Sequence, residues 1–273
     1  MSKEIQSKAV TLRKTEDWLE NATFRNALVE ASPRDYNAIA LSRAVLTMMK
    51  ADSNLRGCTP QSLLNSVLIC AQTGLLPGPM GMCALVAYKK ECQWQLMFKG
   101  AVALAARAGA FGSVSCEVVH KNDFFECEEG SDPFVKFNRA FGERGEPIAA
   151  FCSIKPKGGG DPSIRVMGIE EIEKIRDQFD RGQRESRPWV AHFDEQACKT
   201  VLKRTLKRLP MGTELALAVG MDDLAEIGHG QHPDGPGLDD LPETPEGGFC
   251  NKDVGTEGLV CGKHSGHKEE CVA

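Results

Sequence analysis

The feature that most constrains the fold is a series of short strand-like runs in the middle of the chain, with no long helical pattern between them. Turns rich in Gly, Pro and Asp, such as 157–162, separate these runs. The runs cover residues 113–121, 124–127, 134–137, 148–155 and 163–167. Because strands joined without long crossovers pair antiparallel, this part of the chain predicts an antiparallel sheet.

Amphipathic helices are predicted on both sides of these strands, which makes the fold class α+β. Ser32-Pro33 and Thr59-Pro60 each combine an N-cap residue with a proline in the first helical turn, and Gly74 is a C-terminal stop. The predicted helices cover 15–30, 33–49, 60–73, 101–108, 169–179 and 213–226.

A β-hairpin is predicted between the third and fourth of these helices. Residues 82–88 and 93–98 are strand-like, and Lys89-Lys90-Glu91-Cys92 lies between them as a charged tip. Lys89 and Lys90 at such a tip could contact a nucleic-acid backbone or a neighbouring subunit, although solvated tip lysines are common.

Positive charge is concentrated in the segment 189–210, which reads WVAHFDEQACKTVLKRTLKRLP. On a helical wheel at about 100° per residue the cations occupy one half and the apolar residues the other. The cations are Lys199, Lys203, Arg204, Lys207 and Arg208. We therefore predict one helix that runs from Trp189 to a stop at Pro210, with Lys203 in the middle of a row of cations and far from the apolar side.

This row suits a polyanion. Lys199, Lys203 and Lys207 recur every four residues, which places them about 6 Å apart along a helix axis. A solvated helix face normally mixes charges of both signs, whereas no acidic residue lies between Lys199 and Arg208. We interpret the row as a phosphate-binding face, with an ordinary solvated face as the alternative.

The formal net charge of -5 conceals an uneven distribution. Residues 228–273 carry nine acidic and three basic residues, so residues 1–227 are close to neutral. The same segment contains ten Gly and four Pro, a composition that predicts a flexible tail. We therefore expect a loose N-terminus over 1–14, a folded core over 15–227 and an acidic tail over 228–273.

Cysteines indicate a reducing compartment and offer one candidate metal site. The chain has 11 Cys, but no signal peptide opens it, and Cys70, Cys83, Cys116 and Cys152 lie singly in apolar segments. No apolar run approaches the roughly 18 residues of a membrane span. In the tail, five soft ligands could bind a structural Zn²⁺, although their spacing is not that of a standard zinc finger. These ligands are Cys250, Cys261, His264, His267 and Cys271.

Three segments together resemble successive motifs of the RecT/Bet family of phage single-strand annealing recombinases. They are SLLNSVLICAQTGLLPG, the hairpin leading into LMFKGAVALAARAG, and PWVAHFDEQACKTVLKRTLKRLP, in family order over about 33–226. The resemblance implies a small, twisted antiparallel sheet with a hairpin, packed by helices around a positively charged DNA groove. The Cys/His tail is not part of the family pattern.

The resemblance also implies function, partners and location. It implies a binding protein rather than an enzyme, which binds single-stranded DNA and the annealed duplex, needs no ATP, and allows an effect of Mg²⁺ on annealing. Its expected partners are further copies of itself in a ring or filament, a phage 5′–3′ exonuclease and the host single-strand-binding protein. The expected location is the cytoplasm of a bacterial host, from a phage or prophage gene. Lys99 and Trp189 stand where the family carries a basic and an aromatic residue.

Two other classes are open at this stage. A metal-dependent nuclease could use the acidic group around one strand connection, namely His120, Asp123, Glu126, Glu128 and Glu129, although such a group is also typical of a turn. A sequence-specific regulator would carry Asn, Gln and Arg on a recognition helix, and the basic segment has no Asn. A nucleotide-binding loop is absent from the sequence, because the glycines after Lys157 lack the GK[ST] ending.

Overall fold

The computed structural model describes residues 19–34, 36–109, 111–179 and 187–233. The chain divides into two compact units, one formed by 1–96 with 220–273 and the other by 97–219. The predicted α+β class is confirmed, because the chain forms helices together with small antiparallel sheets. Within the described ranges, no helix combines the length and the apolar character that crossing a membrane requires.

Unit 1 consists of helices around a two-stranded hairpin. Its elements are α1 (Ala22–Ala31), α2 (Ala38–Ala51), α3 (Ser53–Arg56), α4 (Pro60–Thr73), β1 (Cys83–Tyr88) and β2 (Glu91–Leu96). Helix α4 is buried on almost every side because α1, α2 and β2 pack around it. It begins after Thr59 with a proline in its first turn and ends at Gly74, whose left-handed φ of 62° confirms the predicted stop.

Unit 2 consists of a three-stranded sheet, a smaller hairpin and helices. Its strands are β3 (Phe111–His120), β4 (Phe124–Glu128), β5 (Phe134–Asn138), β6 (Pro147–Pro156) and β7 (Ser163–Gly168). The sheet has the order β3-β6-β7, and β4 pairs only with β5, so the strands form separate antiparallel ladders rather than one sheet. Phe151 of β6 packs against Phe125 and Phe137 of that small hairpin, with ring centroids 5.3 and 5.4 Å apart, which fixes the hairpin on the sheet.

Five further helices lie in the rest of the described chain. They are α5 (Phe98–Arg107), α6 (Ile169–Phe179), α7 (Arg187–Ala191), α8 (Phe193–Leu206) and α9 (Thr213–Ile227), of which α9 passes from unit 2 into unit 1. Helix α8 packs across all three strands of the sheet, and α5 packs on α8 and β3. The eight cysteines within the described residues are free thiols.

Two predicted boundaries in unit 1 were wrong. Ser32 ends α1 rather than starting α2, because its N–H donates to Val29 and its hydroxyl donates to Leu28. Helix α2 is capped instead by Asn37, whose side chain accepts from the N–H of Ala40 at 2.8 Å. The hairpin tip has two residues rather than four, since Glu91 already pairs with Tyr88.

Residues beyond the predicted core boundary at 227 also contact unit 1. Gln231 is only 6% exposed, and its side-chain amide bonds the backbone of Trp94 in the hairpin strand β2. Asn65 of α4 also donates to the backbone carbonyl of Gln231 at 3.1 Å. The folded part of unit 1 therefore extends past α9.

Candidate nucleic-acid interface

The basic segment forms two helices rather than one. His192, with φ of -138° and ψ of 49°, interrupts the helical backbone between α7 and α8. Trp189 consequently lies on α7, where its ring contacts that of Phe193 with centroids 6.0 Å apart. Trp189 therefore packs against the first residue of α8. Helix α8 follows the expected dipole pattern, with Asp194 and Glu195 in its first turn and cations in its last.

Helix α8 is buried over more of its circumference than the apolar residues alone predicted. Its buried residues are Ala197, Val201, Leu202, Lys203, Thr205 and Leu206. Because the sheet covers one side of α8 and α5 packs on it as well, burial extends beyond the apolar half of the wheel. Lys203 is only 4% exposed, so the prediction that it lies in the middle of an exposed row was wrong.

The exposed cations of this segment gather at the C-terminal end of α8. Lys199 is half-buried, whereas Arg204, Lys207 and Arg208 are exposed. The helix ends at Leu206, and Arg208 lies in the following turn, where its N–H donates to Thr205 at 3.1 Å. The cations therefore form a cluster at one end rather than a continuous row.

The tertiary structure brings three further cations to the same end of unit 2. A Cβ atom at Gly212 would lie 3.5 Å from the Cβ of Ala108, so the turn after α8 meets the end of α5, where Arg107 is exposed. A Cβ atom at Gly112 would lie 3.3 Å from the Cα of Lys157. Phe111 also pairs with Pro156, which places Lys155 and Lys157 beside the start of β3. We call this group the basic end; its members are Arg107, Lys155, Lys157, Arg204, Lys207 and Arg208.

The opposite end of α8 lies near two carboxylates. Burial raises the pKa of the Cys198 thiol to about 12, and the carboxylates of Glu117 and Asp194 add to this shift. Asp194 lies in the first turn of α8, and Glu117 lies near the far end of β3. Arginines lie near both carboxylates, since Arg139 pairs with Glu117 at 3.4 Å and Asp194 acts electrostatically on Arg144.

In unit 1 the hairpin tip presents two more cations. Lys89 and Lys90 are exposed, and the Lys89 ammonium lies 5.7 Å from the centroid of the Tyr88 ring. Lys89 has a φ of 58°, a backbone conformation that a two-residue hairpin requires but that lysine adopts at a cost. Lys99, in unit 2, is exposed in the first turn of α5.

The acidic group considered for a nuclease is occupied by other contacts. The carboxylate of Asp123 accepts from Arg144 and from the backbone N–H of His120 and Ala140. Glu126 pairs with Lys136 at 3.3 Å, and Glu129 accepts from the N–H of Val166 at 2.7 Å. In the part of the chain that the structure describes, no three His, Cys, Asp or Glu side chains are placed to hold a metal ion.

The predicted zinc ligands Cys250, Cys261, His264, His267 and Cys271 lie outside the described residues. The cations that the sequence interpretation missed are Lys155 and Lys157, and Arg107 was considered only as a charge at a helix end. A basic residue beside a glycine-rich turn was the available signal for Lys157. Only the pairing of β3 with β6, however, brings it near α5 and α8.

Exposed cations gathered at one end of the sheet have the chemistry that binding a polyanion requires. Residues 40–233 match the model of the RecT family. This match covers more than half of the chain, so the chain belongs to the RecT family, whose members act in DNA recombination and single-strand annealing.

The chain is also similar to two individual proteins. The chain is 28% identical to Protein RecT of Escherichia coli (strain K12) over 215 residues, which cover 76% of this chain and 79% of that protein. It is 22% identical to the uncharacterized protein YqaK of Bacillus subtilis (strain 168) over 173 residues, which cover 63% of this chain and 59% of that protein.

Proposed function

We propose that this chain binds single-stranded DNA and promotes the annealing of complementary strands without nucleotide hydrolysis. The observation that carries the proposal is the basic end of unit 2, in a chain that belongs to the RecT family. The cations of the basic end come from α5, β6 with its following turn, and α8 with its following turn. Phosphates are their natural ligand, since Lys and Arg bind the nucleic-acid backbone without regard to sequence.

Backbone contacts suit annealing in particular. A protein that anneals any pair of complementary strands has to hold them by their phosphates and leave the base edges free to pair. Lysine and arginine side chains at the basic end and at the hairpin tip provide such contacts. The proposal excludes Lys203, whose burial keeps it from phosphates, and assigns Trp189 to packing.

The proposal includes assembly and partners expected of such a protein. Further copies of the chain bind along one strand in a ring or filament, and a 5′–3′ exonuclease supplies single strands in the cytoplasm of a bacterial host. The host single-strand-binding protein covers the same strands and is displaced during annealing. No catalytic residue is assigned, and the lack of a nucleotide-binding loop in the sequence supports annealing without ATP.

An annealing assay tests the proposal. Complementary labelled oligonucleotides of several sequences are mixed with the full chain, with and without ATP and with and without Mg²⁺. We expect annealing of every pair in the absence of ATP. A strict requirement for ATP, or no annealing at all, would contradict the proposal. Cleavage of the labelled strands with Mg²⁺ would support a nuclease, and binding to one sequence alone would support a regulator.

The basic end is tested by the salt dependence of binding. Each phosphate contact contributes about -0.7 to the slope of log affinity against log salt on single strands. We therefore expect Lys157→Ala and Lys207→Ala each to flatten the slope by about 0.7. Lys121→Ala is the matched control, because this exposed lysine follows the opposite end of β3. Equal slopes for all three variants would contradict a role for the basic end.

A further inference from the structure

The hairpin strand β2 has one edge that pairs with β1 and one that faces away from it. Tyr88 pairs with Glu91 across the two-residue tip, so Gln93 and Gln95 direct their backbone groups towards β1. The backbone groups of Cys92, Trp94 and Leu96 therefore point to the other edge. The unpaired N–H and C=O groups of such an edge can pair with a further strand unless other groups bond to them.

Side chains cover this edge in place of a strand. The N–H of Cys92 donates to the hydroxyl of Ser62 at 2.9 Å, and the hydroxyl of Ser66 donates to the carbonyl of Cys92 at 3.2 Å. Four residues further along β2, the N–H of Leu96 donates to the carboxylate of Asp222 at 2.8 Å. Helices α4 and α9 thus satisfy both ends of the exposed edge.

Gln231 completes the edge at its centre. Its Oε1 accepts from the N–H of Trp94 at 2.7 Å, and its Nε2 donates to the carbonyl of Trp94 at 2.8 Å. Nε2 also donates to the carbonyl of Met221 at 2.7 Å. A primary amide carries the same donor and acceptor as a peptide group, so Gln231 pairs with β2 as a single residue of a third strand would.

This arrangement matters because an isolated two-stranded hairpin is marginally stable in water. Ser62 and Ser66 hold β2 near the tip, Asp222 holds it at the far end, and Gln231 holds the middle. Gln231 is also the contributor that lies beyond the last helix of the described chain. The hairpin that carries Lys89 and Lys90 is therefore fixed by a residue from the C-terminal part of unit 1.

We infer that Gln231 is a positioning residue for DNA binding, which holds the hairpin so that the tip lysines meet the phosphate backbone. The inference rests on the proposed function, in which Lys89 and Lys90 contact DNA. Gln231 itself touches no DNA in this arrangement. Its effect on binding is therefore expressed only through the two tip lysines.

Variants of the full chain test this dependence. Gln231→Met keeps the length of the side chain and removes both hydrogen bonds to Trp94, and Gln95→Met is the matched control on the same strand. Hydrogen exchange should show faster exchange of the Trp94 amide in Gln231→Met alone. In DNA binding, we expect Gln231→Met to flatten the salt slope by up to about 1.4, the contribution of two phosphate contacts.

Combined variants separate positioning from general destabilisation. We expect Gln231→Met to cause no further loss of affinity when it is added to Lys89→Ala/Lys90→Ala. If Gln231→Met lowers the affinity of the double variant as much as it lowers that of the wild type, the inference is overturned, because the effect does not then act through the tip lysines. If Gln231→Met does not fold, Gln231→Glu, which keeps an acceptor for the Trp94 N–H, takes its place in the same comparison.

The outcomes also distinguish the inference from the proposed function. Suppose that Gln231→Met binds DNA with the same affinity and salt slope as the wild type although its Trp94 amide exchanges faster. That result would overturn the inference and leave the proposed function intact. Failure of the wild-type chain to bind single-stranded DNA would contradict the proposed function and the inference together.

Discussion

The carboxylate of Asp123 and the guanidinium of Arg144 form a two-point ion pair, with Arg144 Nη2 2.6 Å from Asp123 Oδ2 and Arg144 Nε 3.2 Å from Oδ1. The Asp123 side chain is fully buried and also accepts from the N–H of Ala140. Arg144 in addition donates to the carbonyl of Val118 at 2.8 Å. The pair therefore ties the connection between β5 and β6 to the end of β3.

This pair predicts a pH-dependent stability. The hydrogen bonds from Arg144 hold the pKa of Asp123 well below its ordinary value, against the opposing effect of burial. A lowered pKa in the folded state stabilises the fold fully above the ordinary carboxyl pKa of about 3.9. This contribution is lost as the pH falls from that value towards the lowered pKa of the folded state. We expect Asp123→Asn to lower the free energy of unfolding at pH 7 by about 1–3 kcal/mol.

Urea unfolding from pH 7 down to pH 3 measures this effect. The difference between wild type and Asp123→Asn should begin to shrink below about pH 4, because the Asp123 carboxyl of the unfolded chain then binds a proton while the folded carboxyl, whose pKa is lowered, stays ionised. Asp132→Asn, at an exposed carboxylate, serves as the control and should behave as wild type. A difference that stays constant over this range would rule out the ion pair as its source.

Lys203 and Arg204 are neighbours in sequence with opposite expected effects. Lys203→Ala should lower the free energy of unfolding by about 1–3 kcal/mol, because it removes a buried aliphatic stem, and should leave the salt slope of DNA binding unchanged. Arg204→Ala should change stability by less than about 0.5 kcal/mol and flatten the slope by about 0.7.

Thermal or urea unfolding together with salt titration of binding separates these two effects. Leu202→Ala, a buried apolar neighbour, should resemble Lys203→Ala in losing stability without a change in slope. A flatter slope with unchanged stability for Lys203→Ala would show that its side chain reaches phosphate after all.

Lys89→Gly should stabilise the protein while weakening its binding to DNA. Glycine adopts a φ of 58° without the steric cost that lysine bears there, a gain of about 1 kcal/mol. Removing the charge should at the same time flatten the salt slope by about 0.7. Stability is measured by thermal unfolding, and binding by salt titration.

Lys90→Gly is the matched comparison for this variant. It removes the same charge from the same tip, but Lys90 does not have a positive φ, so it should give no gain in stability. Loss of stability in Lys89→Gly, or an unchanged slope in both variants, would contradict the strain and the DNA contact respectively.

Two truncations define where the folded part of unit 1 ends. A chain that stops after Gly228 lacks Gln231 and leaves the backbone groups of Trp94 without their partner, so it should unfold at a lower temperature. A chain that stops after Pro233 keeps Gln231 and should unfold at a higher temperature than the shorter chain. Calorimetry of both chains provides the measurement, and equal unfolding temperatures would show that Gln231 adds little stability.

Sequence alone predicted most of the secondary structure, because the signals involved are local. Helix α4 is an example, since Pro60 and Gly74 act through their own backbone conformations. The antiparallel strands likewise follow from alternating residues and short turns. The RecT family could be identified from the sequence as well, since its motifs are runs of neighbouring residues.

The tertiary structure decided which of these residues can meet DNA. Helical periodicity assigned Lys203 to the exposed face, but the packing of α8 against both the sheet and α5 buries it. Lys157 and Arg208 belong to one end of unit 2 only because β3 pairs with β6 and the turn after α8 meets α5. Gln231 holds Trp94 across a sequence separation of 137 residues. Local patterns determine helices and strands, whereas burial and long-range hydrogen bonds depend on which elements pack together, and no local pattern contains that information.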